Sequence, residues 1–359
     1  MKYNEFILNL SNLKHNALII KNTIGSNVKL CAMVKANAYG HMLKPVCETL
    51  FEIADFFGVS CFEEAKQIRS FDKTTPILIV GLTNKQNLSW CANNNVSITV
   101  ESKISYNELK DITLKTPLKI HFKINTGLNR YGFSNTEEFL EIYKKALQNK
   151  FIEIEGIFTH FATTENEQSF IIEQYDAFKT YLNKIINSNI IVHCCNSYAY
   201  KYFTNMHHNM IRCGFDLFGY SNQDELKPVL EIKSKIVALQ YLKIGDTIGY
   251  ERSFKAEKPM TIGIVPMGYG DGFDRRCSNN VSVIVSNKKA KVVGYVCMDA
   301  FMIDLTKHKN IKILDEVIIL GKTNDFDLSP QYYAKKLSTS PYEIFLKFKK
   351  SRMKLVLKK

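Results

Sequence analysis

The stretch VKLCAMVKANAYGHM, residues 28–42, decides how the rest of the chain is read. Its first seven residues form a short, mostly apolar run suited to a buried strand. Lys35 follows directly, and Asn37, Tyr39 and Gly40 lie just beyond it. An ammonium group at such a position is costly to desolvate. Lys35 therefore either snorkels its charge to water or carries a nitrogen kept neutral by covalent chemistry.

Seven further runs repeat the strand signal: FFGVS (56–60), PILIV (76–80), VSITV (96–100), LKIHFKI (118–124), IEIEGIF (152–158), IIVHC (190–194) and NMIRCGFDLF (209–218). Between most of them lie segments with apolar residues at three- and four-residue spacings, such as NTEEFLEIYKKALQN and NEQSFIIEQYDAFKTYLNKIINS. The link after the seventh run, YAYKYF, is short. Alternation of strand and helix that closes at eight predicts an α/β fold, a (β/α)8 TIM-like barrel, rather than an open doubly wound sheet. Beyond residue 222 the texture changes to strands joined by turn residues, with little helical period before SPQYYAKKLS. The expected organisation is a barrel over 1–222 and a mainly β domain over 223–359. The opening EFILNL reads as a strand available to the C-terminal domain.

At 359 residues, 45% apolar and 23% charged, the chain has ordinary globular composition, which argues against disorder. The net charge of +13 raises the question of polyanion binding, but lysines are interspersed with acidic residues. The densest run, Lys347 to Lys359, reads as a solvated tail, and no zinc-finger spacing or arginine-rich arm accompanies it. Neither a nucleic-acid nor a membrane partner is expected. The first twenty residues are interrupted by Asn, Ser, Lys and His, unlike a signal peptide or membrane span. Nine cysteines without a C-x-x-C pair fit reduced thiols and a cytoplasmic location.

Barrel chemistry collects at the C-terminal ends of the strands. Those ends are polar here: Lys35 after the first; Lys123, Asn125 and Arg130 after the fifth; His160 after the sixth; His193, Asn196 and Ser197 after the seventh; Arg212, Gly214 and Phe215 on and after the eighth. Ser197 with the backbone N–H groups of Gly214 and Phe215 would suit a phosphate, with the Tyr39 hydroxyl as a further donor. An apolar-flanked lysine beside such a cradle is the arrangement expected for pyridoxal 5'-phosphate.

In order along the chain, VKANAYGHM, HFKINTGLNRYGF, GIFTHFA, HCCNS, IRCGFDLFGY, IGYERSF, PMGYGDGFDRR and GYVCMD closely resemble the motif series of bacterial alanine racemases. The resemblance runs from residue 31 to 299 and includes both expected domains. It implies pyridoxal phosphate, a homodimer, and D-alanine supply for peptidoglycan. Lys35 resembles the family's cofactor lysine and one base; Tyr250 resembles the opposite base, reaching in from the partner subunit. Two bases on opposite faces of Cα are what racemisation requires. By the same resemblance, Tyr250 is supported by a hydrogen-bonded chain through His160 and Arg212. Arg212 also sits at the pyridine nitrogen, while Arg130 and the Met298 backbone N–H meet the substrate carboxylate. Tyr269 narrows the entrance, and Lys123 matches a lysine that is often carbamylated. Asn125 departs from the aspartate found in many relatives, and the C-terminal segment follows the family only loosely, so no cofactor contact is carried onto it, with Tyr342 left as a candidate.

Taken singly, each residue has a structural reading: Lys35 as a snorkelling lysine, His160 and His193 as satisfied strand-end histidines, Arg130 and Arg212 as ion-pair partners, Tyr250 and Tyr269 as domain-edge tyrosines. Their joint occurrence points to chemistry. GYGDG (268–272) lacks dinucleotide-loop spacing, and GKT (321–323) lacks the Walker glycine, so both read as turns. Alternatives are a broader racemase accepting serine, a barrel-type amino-acid decarboxylase, or a pyridoxal phosphate carrier. The absence of a Gly-Gly pair argues against the decarboxylase, and the second domain argues against the carrier.

Overall fold

The computed structural model describes residues 3–163, 167–185, 189–221 and 225–359. The chain divides into two compact units: Lys14–Ala38 with Met42–Leu217, and the segments up to Leu13, Tyr39–His41 and Phe218–Lys359. The expected boundary at 222/223 falls on residues outside the described ones.

Among the described residues of the first unit, eight parallel strands form a nearly closed barrel: Lys29–Met33, Phe56–Val59, Ile77–Ile79, Val96–Val100, Leu118–Lys123, Ile152–Phe158, Ile191–His193 and Met210–Cys213. Each pairs with the next from first to seventh, and the eighth pairs with the first. The seam between seventh and eighth is bridged by the Arg212 N–H to Cys195 O (3.0 Å) and by the Val192 N–H to Asn209 Oδ1 (2.7 Å). The strands are buried on both faces, as parallel barrel strands must be, and therefore read as apolar runs rather than alternating ones. The eighth strand is shorter than its apolar run suggested. It ends at Cys213, and Asp216–Phe218 forms a 3-10 turn because Gly214 interrupts the strand.

Helices cover the barrel, some of them with side-chain caps that the sequence supplies. Asn135 Oδ1 accepts the Glu138 N–H at the start of Thr136–Gln148, acidic residues occupy the first turn, and Lys145 the last. Phe139 and Tyr143 of this helix join Phe122, Phe133 and Tyr181 in an aromatic cluster behind the fifth strand. That cluster fixes the strand which ends in Lys123.

The second unit is mainly β. Its sheet runs Ala238–Leu242, Met260–Val265, Phe301–Asp304, Lys288–Val293, Ser282–Val285, Glu316–Lys322, Leu230–Lys235, Glu5–Asn9 and Lys354–Lys358. The opening strand is antiparallel to Leu230–Lys235 and parallel to Lys354–Lys358. Two sequence readings are corrected here. The lysine-rich terminus is no loose solvated tail, since alternate backbone pairing draws it into the sheet as an edge strand whose lysines face water. Gly321 and Lys322 of GKT end a strand, and the turn begins at Thr323, whose N–H bonds Phe326 O. No helix among the described residues is long and apolar enough to cross a membrane.

Candidate active site

Lys35 follows a first strand whose residues Leu30 to Ala32 are wholly buried. The chain then turns left-handed at four consecutive non-glycine residues: Ala36 (φ 52°), Asn37 (55°), Ala38 (54°) and Tyr39 (52°). Each costs about 1–2 kcal/mol, so the turn persists only because its surroundings over-determine it. The Ala36 N–H donates to Glu64 Oε1 (2.7 Å), Asn37 Oδ1 accepts the Leu43 N–H (2.8 Å), and the Ala38 N–H donates to Val34 O (2.8 Å). Glu64 is itself fixed by the Ser60 N–H and hydroxyl at 2.8 and 2.9 Å. Burial, then the Arg130 cation, pull the Lys35 pKa down, partly opposed by Glu64.

Lys123 lies almost wholly buried with Nζ 3.5 Å from the Tyr131 ring centroid. Burial, followed by the charges of Arg130 and Arg212, brings its pKa down to about 7. The Arg130 guanidinium lies 5.3 Å from the same ring, on an exposed loop. Asn125 builds that loop. Its amide donates to Asn129 Oδ1 (3.0 Å) and Ser134 Oγ (2.9 Å), and its Oδ1 accepts from the Gly127 and Asn129 N–H groups. An ionised aspartate could accept but not donate, which accounts for the asparagine.

Arg212 is buried and donates in every direction: Nη1 to His193 Nδ1 (2.7 Å) and His193 O (3.1 Å), Nη2 to Thr159 O (2.8 Å), His160 Nδ1 (3.1 Å) and Cys194 O (3.4 Å). Arginine cannot accept, so His160 carries its proton on Nε2. Burial and then the Arg212, Arg130, Lys123 and Lys35 charges hold His160 neutral, well below the usual histidine range.

At the ends of the seventh and eighth strands the Gly214 N–H donates to Ser197 Oγ (3.1 Å), and Ser197 Oγ lies 3.4 Å from Cys213 Sγ. The following turn is anchored by buried Asp216, which accepts from the Tyr200 hydroxyl (2.9 Å) and pairs with Lys201 (2.8 Å). A hydroxyl and a backbone N–H meeting beside a lysine-bearing strand end fit a phosphate-carrying cofactor, and the lowered Lys35 pKa fits its attachment to that lysine. Among the described residues there is no cluster of His, Cys, Asp and Glu suited to a metal.

The barrel unit thus carries Lys35, Lys123, Arg130, His160, Ser197, Arg212, Gly214 and Phe215. Tyr39, Tyr250, Tyr269 and Met298 belong to the second unit. Tyr39 is buried there, its ring centroid 5.6 Å from Phe218 and 5.4 Å from Tyr342. Tyr250 is 68% exposed on a turn between Thr247–Ile248 and Phe254–Lys255, held over a core of Ile248, Ala256, Met260, Ile262 and Val293. Tyr269 (41%) and Met298 (53%) are exposed on two loops joined by the Tyr269 N–H to Cys297 O and the Gly270 N–H to Met298 O. Arg352 clamps these loops through Asp271 (3.2 Å) and Asp299 (2.5 Å). Sequence reasoning missed Glu64, His121, Tyr131, Glu155 and Arg352. Only His121 left a signal, since it lies two residues before Lys123 and so shares its face of a barrel strand.

A barrel with a half-buried lysine at its first strand end and a hydroxyl–amide cradle at its last two has the features of a lysine-attached, phosphate-bearing cofactor enzyme. Residues 8–222 match the alanine racemase N-terminal domain and residues 229–356 the alanine racemase C-terminal domain. An alanine racemase of Caldanaerobacter subterraneus is 34% identical over 351 residues, covering 94% of this chain and 90% of that protein. An alanine racemase of Clostridium perfringens is 34% identical, covering 94% and 91%. The crystal structure of the alanine racemase from E. faecalis superposes with a TM-score of 0.93 at 29% identity, covering 99% and 98%. That from Bacillus anthracis with bound L-Ala-P gives 0.90 at 29%, covering 99% and 95%. The chain belongs to the alanine racemase family, whose members are pyridoxal phosphate-dependent isomerases.

Proposed function

We propose that this protein interconverts L-alanine and D-alanine with two bases, Lys35 on one face of the substrate Cα and Tyr250 of a second subunit on the other. The observation that carries the reading is Lys35 itself: a lysine with a lowered pKa, presented by a strained left-handed turn at the barrel mouth. Bound pyridoxal phosphate, with Lys35 as its attachment point, supplies the electron withdrawal that acidifies Cα–H. Ser197 Oγ and the Gly214 and Phe215 N–H groups hold its phosphate, with Tyr39 as a further donor.

Lys35 Nζ would accept or return the proton on its face of Cα. Tyr250 does the same on the opposite face. His160, accepting from Arg212 at Nδ1, presents Nε2–H, the tautomer suited to donate a hydrogen bond to a phenolate oxygen. Arg212 would meet the cofactor's ring nitrogen, where a permanent cation would disfavour ring protonation and so restrain side reactions such as transamination. Arg130 and the Met298 N–H bind the substrate carboxylate, and Tyr269 narrows the entrance in favour of a small side chain. Lys123, with a pKa of about 7, is in part a neutral amine at physiological pH, as carbamylation requires. The exposure of Tyr250 on its own unit supports a role across a homodimer interface. D-Alanine supply for peptidoglycan and a cytoplasmic location with nine free thiols complete the reading.

The test is incubation of purified protein with L-alanine, with and without added pyridoxal phosphate, followed by chiral chromatography. A cofactor-dependent approach to a near-equal mixture is expected. Folded, cofactor-loaded protein that makes no D-alanine would reject the assignment; release of carbon dioxide would turn it to the decarboxylase.

A further inference from the structure

Beyond Arg212 the barrel interior carries a line of polar side chains that the reaction described above leaves unused. Arg212 Nη1 lies 2.7 Å from His193 Nδ1, His193 Nε2 lies 2.8 Å from His121 Nδ1, and His121 Nε2 lies 2.9 Å from Glu155 Oε2. Both histidines are wholly buried. The two ends determine the proton order. Arginine only donates, so His193 accepts at Nδ1 and keeps its proton on Nε2. That N–H donates to His121 Nδ1, and His121 in turn donates from Nε2 to a carboxylate. A second proton on either imidazole would set donor against donor.

The sixth strand is shaped around this line. Its pairing with the fifth steps from Ile120–Ile154 to His121–Gly156, leaving Glu155 as the extra residue of a bulge. Bulges re-aim side chains, and this one aims Glu155 at His121. Gly156 supplies the space, because a Cβ there would lie 2.4 Å from His121 Nδ1. Ser97 Oγ and Lys119 Nζ (3.1 Å) fasten the carboxylate. Burial raises its pKa, but the bonds from His121 and Ser97 and the Lys119 charge prevail and bring it down to about 2. Among the described residues, meanwhile, the Arg212 side chain hydrogen-bonds only imidazoles and backbone carbonyls.

We propose that Glu155 and His121 are positioning residues for racemisation, linked through His193 to Arg212, so that a carboxylate at the end of the line supports the buried guanidinium and fixes the direction in which it donates. This rests on the reading of Arg212 as the cation at the cofactor ring. Buried hydrogen-bonded lines of this kind rigidify what they hold, provided that every member is satisfied.

Nitrogen NMR of histidine-labelled holoenzyme reads the tautomers without turnover. Protons on Nε2 of His121 and His193 are expected; a proton on Nδ1 of either overturns the proposal. Glu155→Gln keeps an acceptor but removes the charge, and Gly156→Ala drives a methyl group against the His121 ring. Each, folded by thermal melt, is expected to lower kcat about tenfold with KM within about twofold, and to move the His193 Nδ1 signal. A folded Glu155→Gln variant with kcat within about twofold of the parent and an unmoved His193 signal overturns the line. A parent that does not racemise alanine overturns the proposed function together with the positioning role that rests on it, whereas the tautomers separately decide whether the line runs from Glu155 to Arg212.

Discussion

Lys123 turns burial into a measurable pH effect. An unfolded lysine titrates near 10.4, whereas burial, Arg130 and Arg212 bring Lys123 to about 7. Between those values the unfolded chain holds a proton that the folded chain lacks, so stability contributed by this group rises with pH, by at most about 1.4 kcal/mol per pH unit. Lys123→Met removes that contribution. Urea unfolding in carbonate-free buffer from pH 7 to 9 should give a shallower dependence for the variant than for the parent; parallel curves would refute the shift. Asn125 is the second residue whose chemistry is local. It was visible in the sequence as a departure from its relatives, but its donors to Asn129 and Ser134 became apparent only when the loop closed on itself. Asn125→Asp should raise KM for alanine several-fold with little change in kcat, since Arg130 rides on that loop.

Among the elements, the left-handed turn after the first strand depends on a partner far away in sequence. Glu64 satisfies the Ala36 N–H and two Ser60 donors. Glu64→Ala should therefore lower stability by about 1–3 kcal/mol in denaturant titration and weaken cofactor retention, whereas an unchanged midpoint would mean that the turn holds itself. The terminal strand Lys354–Lys358 makes a second elemental prediction. Five registered pairs join it to Glu5–Asn9. Removing 354–359 should lower the melting temperature and, by baring an edge, promote association detectable by light scattering. Equal melting and scattering would show the strand to be dispensable.

For the whole molecule, the proposed sharing of a site between subunits predicts complementation. Lys35→Ala and Tyr250→Ala homodimers should each be inactive. Mixed under conditions that exchange subunits, they should regain about a quarter of the parent's activity, since half the dimers are hybrids with one intact site of two. No recovery in verified hybrids would place both residues within one chain.

The sequence alone determined the architecture, because periodicity is a local property: buried parallel strands are apolar runs, and the eight runs at 28–218 were countable as such. It also determined the candidate residues at the strand ends, whose polarity contrasts with the runs before them. The tertiary structure alone decided how those residues are held. Glu64 reaches Lys35's turn from 28 residues away, Glu155 reaches His121 from 34, and His121 reaches His193 from 72. No local pattern marks such pairs, since hydrogen-bond direction and pKa depend on which groups the barrel brings within 3 Å of one another, and that proximity exists only after closure.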